Sequence, residues 1–212
     1  MQSLRMRLIA LKLYLLGVLW RVKYSMFRET MPKNKDGKVY LNLGCGDRSG
    51  PEFINMDAVS FAHTHIVGNI LDLRRFPSQS VDLIYASHVM EHIPRNRLEA
   101  TLREWNRVLK LGGILRFGVP DFDGLIEIYR RSGNNTESIV NQLLGQDGEY
   151  DDHHTIWNRA YADQVLSRAG FSHVRPWDPK TVDNHGFKDK TSRVFTDATG
   201  TVLISLNLEA VK

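Results

Sequence analysis

Short apolar runs recur along most of the chain and predict the strands of a β-sheet. Each run is rich in β-branched, aromatic or aliphatic residues and is bounded by glycine, proline or polar residues, as buried strands are. Seven such runs occur, at residues 39–43, 53–57, 65–67, 81–86, 114–119, 171–177 and 201–211. The stretch between the last two runs is long and polar, and we interpret it as a functional loop.

Helical periodicity separates several of these runs. Apolar residues at i, i+4, i+7 and i+11 from Leu98 predict a helix over residues 95–110, which the pair Gly112-Gly113 ends. Further helices are predicted at residues 122–131, 136–144 and 158–169. Because strands alternate with helices to the end of the chain, the pattern indicates an α/β domain built from βαβ units.

The N-terminus follows a different pattern. Leu8–Trp20 is apolar apart from Lys12 and predicts a helix, but one shorter than the roughly 20 apolar residues that span a bilayer. Residues 1–38 carry a net charge of +7, and because the whole chain carries +4, residues 39–212 carry −3. We therefore predict a basic and apolar N-terminal helical segment, residues 1–38, followed by one domain, residues 39–212.

Two hypotheses account for residues 1–30. Basic residues at both ends of the apolar run, with aromatic residues near them, favour peripheral contact with an anionic cytoplasmic leaflet. The alternative is a helix that packs on the domain or on a second copy of the chain, which would make a homodimer. The slightly acidic domain argues against nucleic acid as its partner.

Cys45 is the single cysteine of the chain. A chain with one cysteine cannot form an intrachain disulfide, which is typical of a reducing compartment, so we predict a cytoplasmic protein. No basic residue lies nearby in sequence to activate the thiol. We interpret Cys45 as a small residue beside a ligand, with a reactive thiol as the alternative.

A glycine turn after the first strand is the strongest chemical signal. Gly44 and Gly46 follow that strand, and Asp57 ends the second strand. Doubly wound domains use this arrangement to bind the ribose and charged tail of a nucleoside cofactor. The dinucleotide fingerprint requires glycine where Ser49 stands and an acid about 20 residues on, so the pattern favours a different nucleoside.

Several segments in order over residues 39–121 resemble the class I S-adenosylmethionine-dependent methyltransferases, of the type 11-like kind. The matched segments are residues 43–47, 54–57, 69–77, 80–93 and 105–113. The short interval before Asp57 and the ending at residues 204–212 are similar to a subgroup associated with polysaccharide and cell-envelope synthesis. The resemblance implies a Rossmann-like, doubly wound, mostly parallel seven-stranded sheet with an antiparallel last strand.

The resemblance also implies S-adenosylmethionine as the cofactor and roles for four residues of the first two segments. Gly44, Cys45 and Gly46 would let the backbone approach the methionyl portion of the cofactor. Asp57 would accept hydrogen bonds from the ribose hydroxyls. A carboxylate is a suitable partner there because it offers only acceptors to groups that donate.

The next two segments would hold the rest of the cofactor. By the same resemblance, Asp72 would meet the adenine amino group and Leu73 would lie against the ring. The alternative for Asp72 is a turn residue before Pro77. Ser87 and His88, just past the fourth strand, would lie beside the sulfonium.

The implied activity is methyl transfer to an acceptor. The subgroup resemblance points to a hydroxyl of a glycan or a lipid-linked sugar at the inner face of the membrane, with a small metabolite, a lipid or a protein as alternatives. A hypothesis from another class is a catalytically silent subunit that keeps the fold and binds a partner through residues 1–30. The intact Gly44, Gly46, Asp57 and Asp72 disfavour that hypothesis.

One histidine motif has a second interpretation. Residues 88–92 match H-x-x-E-H, a zinc-hydrolase motif that needs both histidines on one helix. A strand pattern runs into His88 and Pro94 follows soon after, so no such helix is predicted and we expect no metal site. We expect His88 and His92 to line a ligand cleft, with a structural role for His92 as the alternative.

Methyl transfer to a hydroxyl also requires a base that takes the proton. Histidine suits this task near neutral pH, and His153 and His154 lie in a polar stretch before a predicted helix. Asp121, after the fifth strand, and His88 are rival candidates. The alternative for the histidine pair is a solvated loop, and an amine acceptor would need no strong base.

Overall fold

The structure is a computed structural model that describes residues 34–48, 50, 52–146 and 151–212. The predicted N-terminal helix, and its contact with a membrane or a second copy through residues 1–30, lie outside these residues. Within the described ranges, no helix is long and apolar enough to cross a membrane.

A seven-stranded sheet forms the centre of the domain. Its strands are β1 (Tyr40–Leu43), β2 (Ile54–Asp57), β3 (Ile66–Val67), β4 (Val81–Ser87), β5 (Leu109–Pro120), β6 (Ser172–Pro176) and β9 (Ser205–Val211). They lie in the order β3-β2-β1-β4-β5-β9-β6, and only β9 runs antiparallel to its neighbours. The predicted fold is confirmed. The strand order reverses between β1 and β4, which is where such sheets bind ligands.

Within the described residues, four α-helices connect the strands. They are α1 (Arg95–Val108), α2 (Phe122–Arg131), α3 (Val140–Leu144) and α4 (Arg159–Arg168). Single turns of 3-10 helix occur at Met90–His92, Thr136–Ser138 and Lys190–Ser192. The side chains of Asp121 and Asn158 cap α2 and α4, because each accepts a hydrogen bond from a backbone N–H of the first turn.

Helix α1 buries the apolar face that its periodicity predicts. Leu98, Leu102 and Trp105 are buried against the sheet. The indole Nε1 of Trp105 donates a hydrogen bond to the carbonyl of Ile70 at 2.9 Å. This bond fixes the segment after β3, which forms one wall of the cleft described below.

The end of α1 differs from the prediction. The helix ends at Val108 and β5 begins at once, so the pair Gly112-Gly113 lies inside the strand rather than at the end of the helix. Val81 pairs with Leu109, but Leu83 pairs with Ile114, so residues 110–113 bulge opposite Asp82. Gly112 has a φ of +75°, which glycine adopts readily and which the bulge requires.

The loop predicted at residues 178–200 is also more structured than expected. Its end forms β7 (Val194–Asp197), which pairs with β8 (Gly200–Leu203) in a separate hairpin. The last predicted strand, residues 201–211, is therefore two strands. Phe195 and Val202 pack against the buried apolar face that includes Leu125 of α2, a contact between segments too distant in sequence for periodicity to indicate.

Candidate active site

A large cleft opens at the carboxyl ends of β1, β2 and β4. Its volume is about 1040 Å³, at the upper limit of the usual range for ligand pockets. The lining residues come from the chain segments 42–48, 57–59, 67–71, 85–94, 151–154 and 187–193. The cleft therefore lies at the switch point of the sheet, where the sequence predicts the cofactor.

The glycine turn forms the floor of the cleft beside β1. Gly44 and Gly46 have φ values of +65° and +52°, in the left-handed region that disfavours other residues. A Cβ atom on Gly44 would lie 2.5 Å from Cγ2 of Val89, so this position has no room for a side chain. A Cβ atom on Gly46 would meet no atom within 4 Å, so the backbone there is open to a ligand.

Asp57 connects β2 to this turn. Its Oδ2 accepts a hydrogen bond from the backbone N–H of Gly46 at 2.8 Å, and its Oδ1 accepts one from Val59 at 2.8 Å. A carboxylate oxygen has two lone pairs, so each oxygen keeps one for a hydroxyl donor. The carboxylate lines the cleft and is held in place by the same backbone that a cofactor would approach.

Cys45 also lines the cleft, but its side chain is only 4% exposed. The thiol lies 3.9 Å from Oγ1 of Thr64, and burial raises the pKa of Cys45 to about 11. The group is thus a neutral thiol near pH 7, as expected for a small residue beside a ligand.

Asp72 and Leu73 follow the segment that lines the cleft after β3. Neither lines the cleft: Leu73 is fully buried, and the Asp72 carboxylate binds Nε and Nη2 of Arg74 at 2.9 and 2.6 Å on the surface. Hydrogen bonds from Arg74 hold the pKa of Asp72 below its ordinary value. This arrangement favours the alternative interpretation of Asp72 as a turn residue, and its contact with adenine stays a prediction.

Asn69 and Ile70 occupy the cleft in their place. Oδ1 of Asn69 accepts a hydrogen bond from the backbone N–H of Leu71 at 2.9 Å, which fixes the amide at the end of β3. Asn69 is thus a candidate cofactor residue that the resemblance, which points to the acidic Asp72, does not include. The signal in the sequence was its position two residues past the end of β3, because such sheets bind ligands beyond the carboxyl ends of their parallel strands.

Ser87 and His88 lie at the end of β4 and line the cleft. His88 has a φ of +53°, which is uncommon outside glycine and marks a backbone held by its surroundings. Its Nδ1 lies 3.1 Å from Oε1 of Glu91, and its Nε2 lies 3.2 Å from Oγ of Ser205. Glu91 and Ser205 therefore fix the His88 ring at the end of β4, where the resemblance predicts the sulfonium of the cofactor.

Glu91, His92 and His153 form a compact group next to His88. The Glu91 side chain is buried, and the rings of His92 and His153 meet edge to face with centroids 4.8 Å apart. Burial raises the pKa of the Glu91 carboxyl, but the rings of His88 and His92 outweigh it, and the pKa falls below its ordinary value. Burial lowers the pKa of His153. One ligand atom from each of the three side chains lies within 4.8 Å of the others.

The four candidate bases separate into two pairs. His88 and His154 line the cleft, and the backbone N–H of His154 donates to the Glu91 carbonyl at 2.7 Å. His153 faces a second, small cavity instead. Asp121 lines neither cavity, because its carboxylate caps α2, and burial raises its pKa.

The segment before β7 closes the remaining side of the cleft. The hydroxyl of Tyr85, on β4, donates a hydrogen bond to Oδ2 of Asp189, and Oδ1 of Asp189 accepts one from the backbone N–H of Thr191 at 2.9 Å. Burial, and then the negative charge of Asp189, raise the pKa of Tyr85 far above its ordinary value. These bonds hold residues 187–193 beside the cleft, and most of these residues line it.

Comparison with known proteins agrees with this geometry. The family model described as "Methyltransferase domain" matches residues 41–117, which contain the glycine turn, Asp57 and His88. Comparison with curated proteins gave no match.

Solved structures share the fold. An S-adenosylmethionine-dependent methyltransferase from Archaeoglobus fulgidus is 14% identical, with a TM-score of 0.53 over 91% of this chain and 94% of that one. A methyltransferase from Thermotoga maritima, described as a possible histamine N-methyltransferase, is 14% identical, with a TM-score of 0.52 over 95% and 96%. The family model identifies a methyltransferase domain within residues 41–117, which supports a methyltransferase enzyme with S-adenosylmethionine as its cofactor, and the solved structures show that the chain shares the fold of such enzymes.

Proposed function

We propose that the enzyme methylates a hydroxyl group of a glycan or a lipid-linked sugar that carries a negative charge. The proposal rests on the chemistry of one wall of the cleft, which residues 85–94, 151–154 and 187–193 form. That wall has histidines that can take a proton and cationic side chains that can bind an anion.

The cofactor residues fit a nucleoside with a charged amino-acid tail. The open backbone at Gly46 leaves room for the tail, and the free lone pairs of Asp57 suit the ribose hydroxyls. The Asn69 amide both donates and accepts, so it suits adenine, with Ile70 against the ring. When bound, S-adenosylmethionine supplies an electrophilic methyl group. The chain's own residues hold the acceptor oxygen in line with that group and keep water out.

A hydroxyl acceptor loses its proton as the new C–O bond forms. His154 and His88 are the candidate bases because both line the cleft. His154 is the exposed one and can reach an acceptor, whereas His88 is held between Glu91 and Ser205. We therefore propose that His154 accepts the proton of the acceptor hydroxyl and that His88 helps to position the acceptor.

The cationic side chains support an anionic acceptor. Lys188, Lys190 and Arg193 line the cleft, and in the part of the chain that the structure describes none of them belongs to an ion pair. Cations without a carboxylate partner favour a ligand that brings its own negative charge, such as the phosphate of a lipid-linked sugar. Asp151 and Asp152 line the cleft near His92 and would repel the same charge, which orients the acceptor.

Acceptor profiling tests the proposal. Full-length protein is incubated with methyl-labelled S-adenosylmethionine and separate pools of phosphate-linked sugars, neutral glycans, small amines and peptides. The proposal expects label in the phosphate-linked pool, in a product that resists conditions that cleave methyl esters. Label confined to amines or peptides would contradict it, and binding of S-adenosylmethionine without transfer to any pool would favour the silent subunit.

A lipid-linked acceptor would agree with membrane contact through residues 1–30. The apolar run and its flanking cations support this contact, and the alternative is packing on a second copy. Sedimentation with anionic liposomes of the full chain and of a chain that begins at residue 34 separates the two. Salt-sensitive binding of the full chain alone supports the membrane. A dimer that is lost on truncation, without liposome binding, supports packing.

A further inference from the structure

We propose that Glu91, His92 and His153 bind a divalent transition-metal ion at the wall of the cleft. One ligand atom from each side chain lies within 4.8 Å of the other two. The proposal concerns binding and does not rest on the function proposed above. It also departs from the expectation of no metal site that the sequence supports.

The two histidines present the correct nitrogen. Nδ1 of His92 lies 3.2 Å from the carbonyl oxygen of Asp152, and Nδ1 of His153 lies 3.0 Å from that of Gln142. A carbonyl oxygen only accepts hydrogen bonds, so each Nδ1 carries the proton and each Nε2 keeps its lone pair. Histidines that bind metals are oriented in this way by a hydrogen bond from the other ring nitrogen.

The buried carboxylate of Glu91 also favours a bound cation. Its side chain is fully buried, and Nδ1 of His88 lies 3.1 Å from Oε1. The other oxygen, Oε2, has no hydrogen-bond donor among the described residues. A buried carboxylate without such partners is costly, and a cation bound to it would offset that cost.

The donor set indicates the class of ion. Two imidazole nitrogens and one carboxylate suit Zn²⁺, Co²⁺ or Fe²⁺, whereas Mg²⁺ and Ca²⁺ prefer oxygen ligands alone. Oδ1 of Asp151 lies 3.8 Å from Nε2 of His92 and can serve as a fourth ligand. Bonds of about 2.1 Å place tetrahedral ligand atoms about 3.4 Å apart, so binding requires side-chain torsions to draw the group together by about an ångström.

The site is not the H-x-x-E-H arrangement that the sequence displays. Met90–His92 is a single 3-10 turn, and His88 contacts Ser205 instead of joining the group. The third ligand is His153, which is 61 residues past His92 in the chain. A bound ion would fasten the segment after β4 to the segment before α4. It would thereby fix the wall that carries His154, whose backbone already bonds to Glu91.

Direct metal titration tests the site. The full-length chain, freed of any polyhistidine tag, is treated with chelator and titrated with Zn²⁺ by calorimetry and with Co²⁺ by visible absorption. Glu91→Gln and His153→Gln remove one ligand each without changing side-chain size much. His154→Gln is the matched control, because it makes the same change one residue away, outside the group. Circular dichroism and thermal melts establish that each variant is folded.

The expected result is one ion per wild-type chain and an affinity at least about tenfold weaker in the folded Glu91→Gln and His153→Gln variants. The His154→Gln variant should bind the ion as the wild type does. If Glu91→Gln fails to fold, His153→Gln alone decides. Absence of binding to the wild type, equal binding by all four proteins, or loss only in His154→Gln would each overturn the proposal. Affinity for S-adenosylmethionine, measured in parallel, keeps this outcome separate from the methyltransferase assignment.

Discussion

The two sides of the cleft are built in different ways. The side beside β1 and β2 comes from one continuous stretch, residues 44–70, and is held by short-range bonds such as that from Gly46 to Asp57. The opposite side brings together residues 85–92, 151–154 and 187–193. Its bonds span long intervals: Tyr85 and Asp189 are 104 residues apart, and His92 and Asp152 are 60 apart.

This difference suggests a division of labour. A side that folds from one stretch of chain can be kept while the rest of the molecule changes, which suits a cofactor that many enzymes share. A side assembled from separate loops can vary without disturbing the sheet, which suits the acceptor. A variant on the cofactor side should therefore change the binding of S-adenosylmethionine, and a variant on the other side should change the turnover or KM of the acceptor.

The largest effect is expected at His154. Replacement by Gln removes the candidate base, so turnover of a hydroxyl acceptor should fall by about 10²–10⁴ while S-adenosylmethionine binds nearly as before. Initial rates at saturating cofactor, together with calorimetry, provide the two readouts. Full activity across about pH 6–9 in both His154→Gln and His88→Gln would exclude these two histidines from the proton transfer.

Burial in the glycine turn should protect the Cys45 thiol from alkylation. Burial raises the pKa of Cys45 from 9.0 to about 11, so near pH 8 the folded chain should be alkylated about a hundredfold more slowly than the unfolded chain. The sign follows from the folded pKa lying above the unfolded one. The folded state therefore favours the neutral thiol, and the protection should fade as pH rises through about 11. Because the chain has one cysteine, alkylation followed by mass spectrometry reports this group alone. Equal alkylation rates of the folded and unfolded chain at pH 8 would show that the Cys45 thiol is not buried in the folded chain.

Replacement by Ala should lower the affinity for S-adenosylmethionine at Asn69 but not at Asp72. Asn69→Ala removes an amide that lines the cleft, so affinity for S-adenosylmethionine should fall by up to about tenfold, the range of a neutral hydrogen bond. Asp72→Ala removes only a surface partner of Arg74, so affinity should stay as in the wild type. The reverse pattern would restore the role that the resemblance assigns to Asp72.

The cationic wall should affect the acceptor alone. Replacing Lys188, Lys190 and Arg193 together by Gln should raise the KM for a phosphate-bearing acceptor by about tenfold, because charge-assisted hydrogen bonds are lost. The cofactor KM should not change. Salt should raise the acceptor KM of the wild type and have little effect on the variant. An unchanged acceptor KM would exclude this wall from acceptor binding.

Asp121 should show the smallest effect. The Asp121→Asn variant keeps an oxygen that caps α2, so both turnover and thermal stability should stay close to those of the wild type. Asp121→Ala removes the cap and should lower the free energy of unfolding by about 0.5–2 kcal/mol without affecting turnover. A loss of turnover in the folded Asn variant would reinstate Asp121 as a base.

Much of the sheet could be predicted because its strands carry their own signal. β1, β2, β4 and α2 form where local periodicity and turn residues specify them, and Asp57 follows from its place at the end of β2.

Features formed by distant contacts could not be predicted from the sequence. The hairpin of β7 and β8 depends on packing against α2, and the grouping of Glu91 with His153 depends on the whole fold. The role of Asp72 meets a related limit. A carboxylate looks functional in a sequence whether it faces a cleft or Arg74, and only the turn after β3 decides between them.

Calorimetry with S-adenosylmethionine, on the wild type and on Asp57→Ala, is the most direct test of the cofactor side. The geometry predicts one cofactor per wild-type chain. It predicts binding about ten- to a hundredfold weaker in the variant, because hydrogen bonds to a charged group contribute about 1.5–3 kcal/mol. Absence of binding to the folded wild type would contradict the methyltransferase assignment. Equal affinity of the folded Asp57→Ala variant would contradict the position proposed for the ribose.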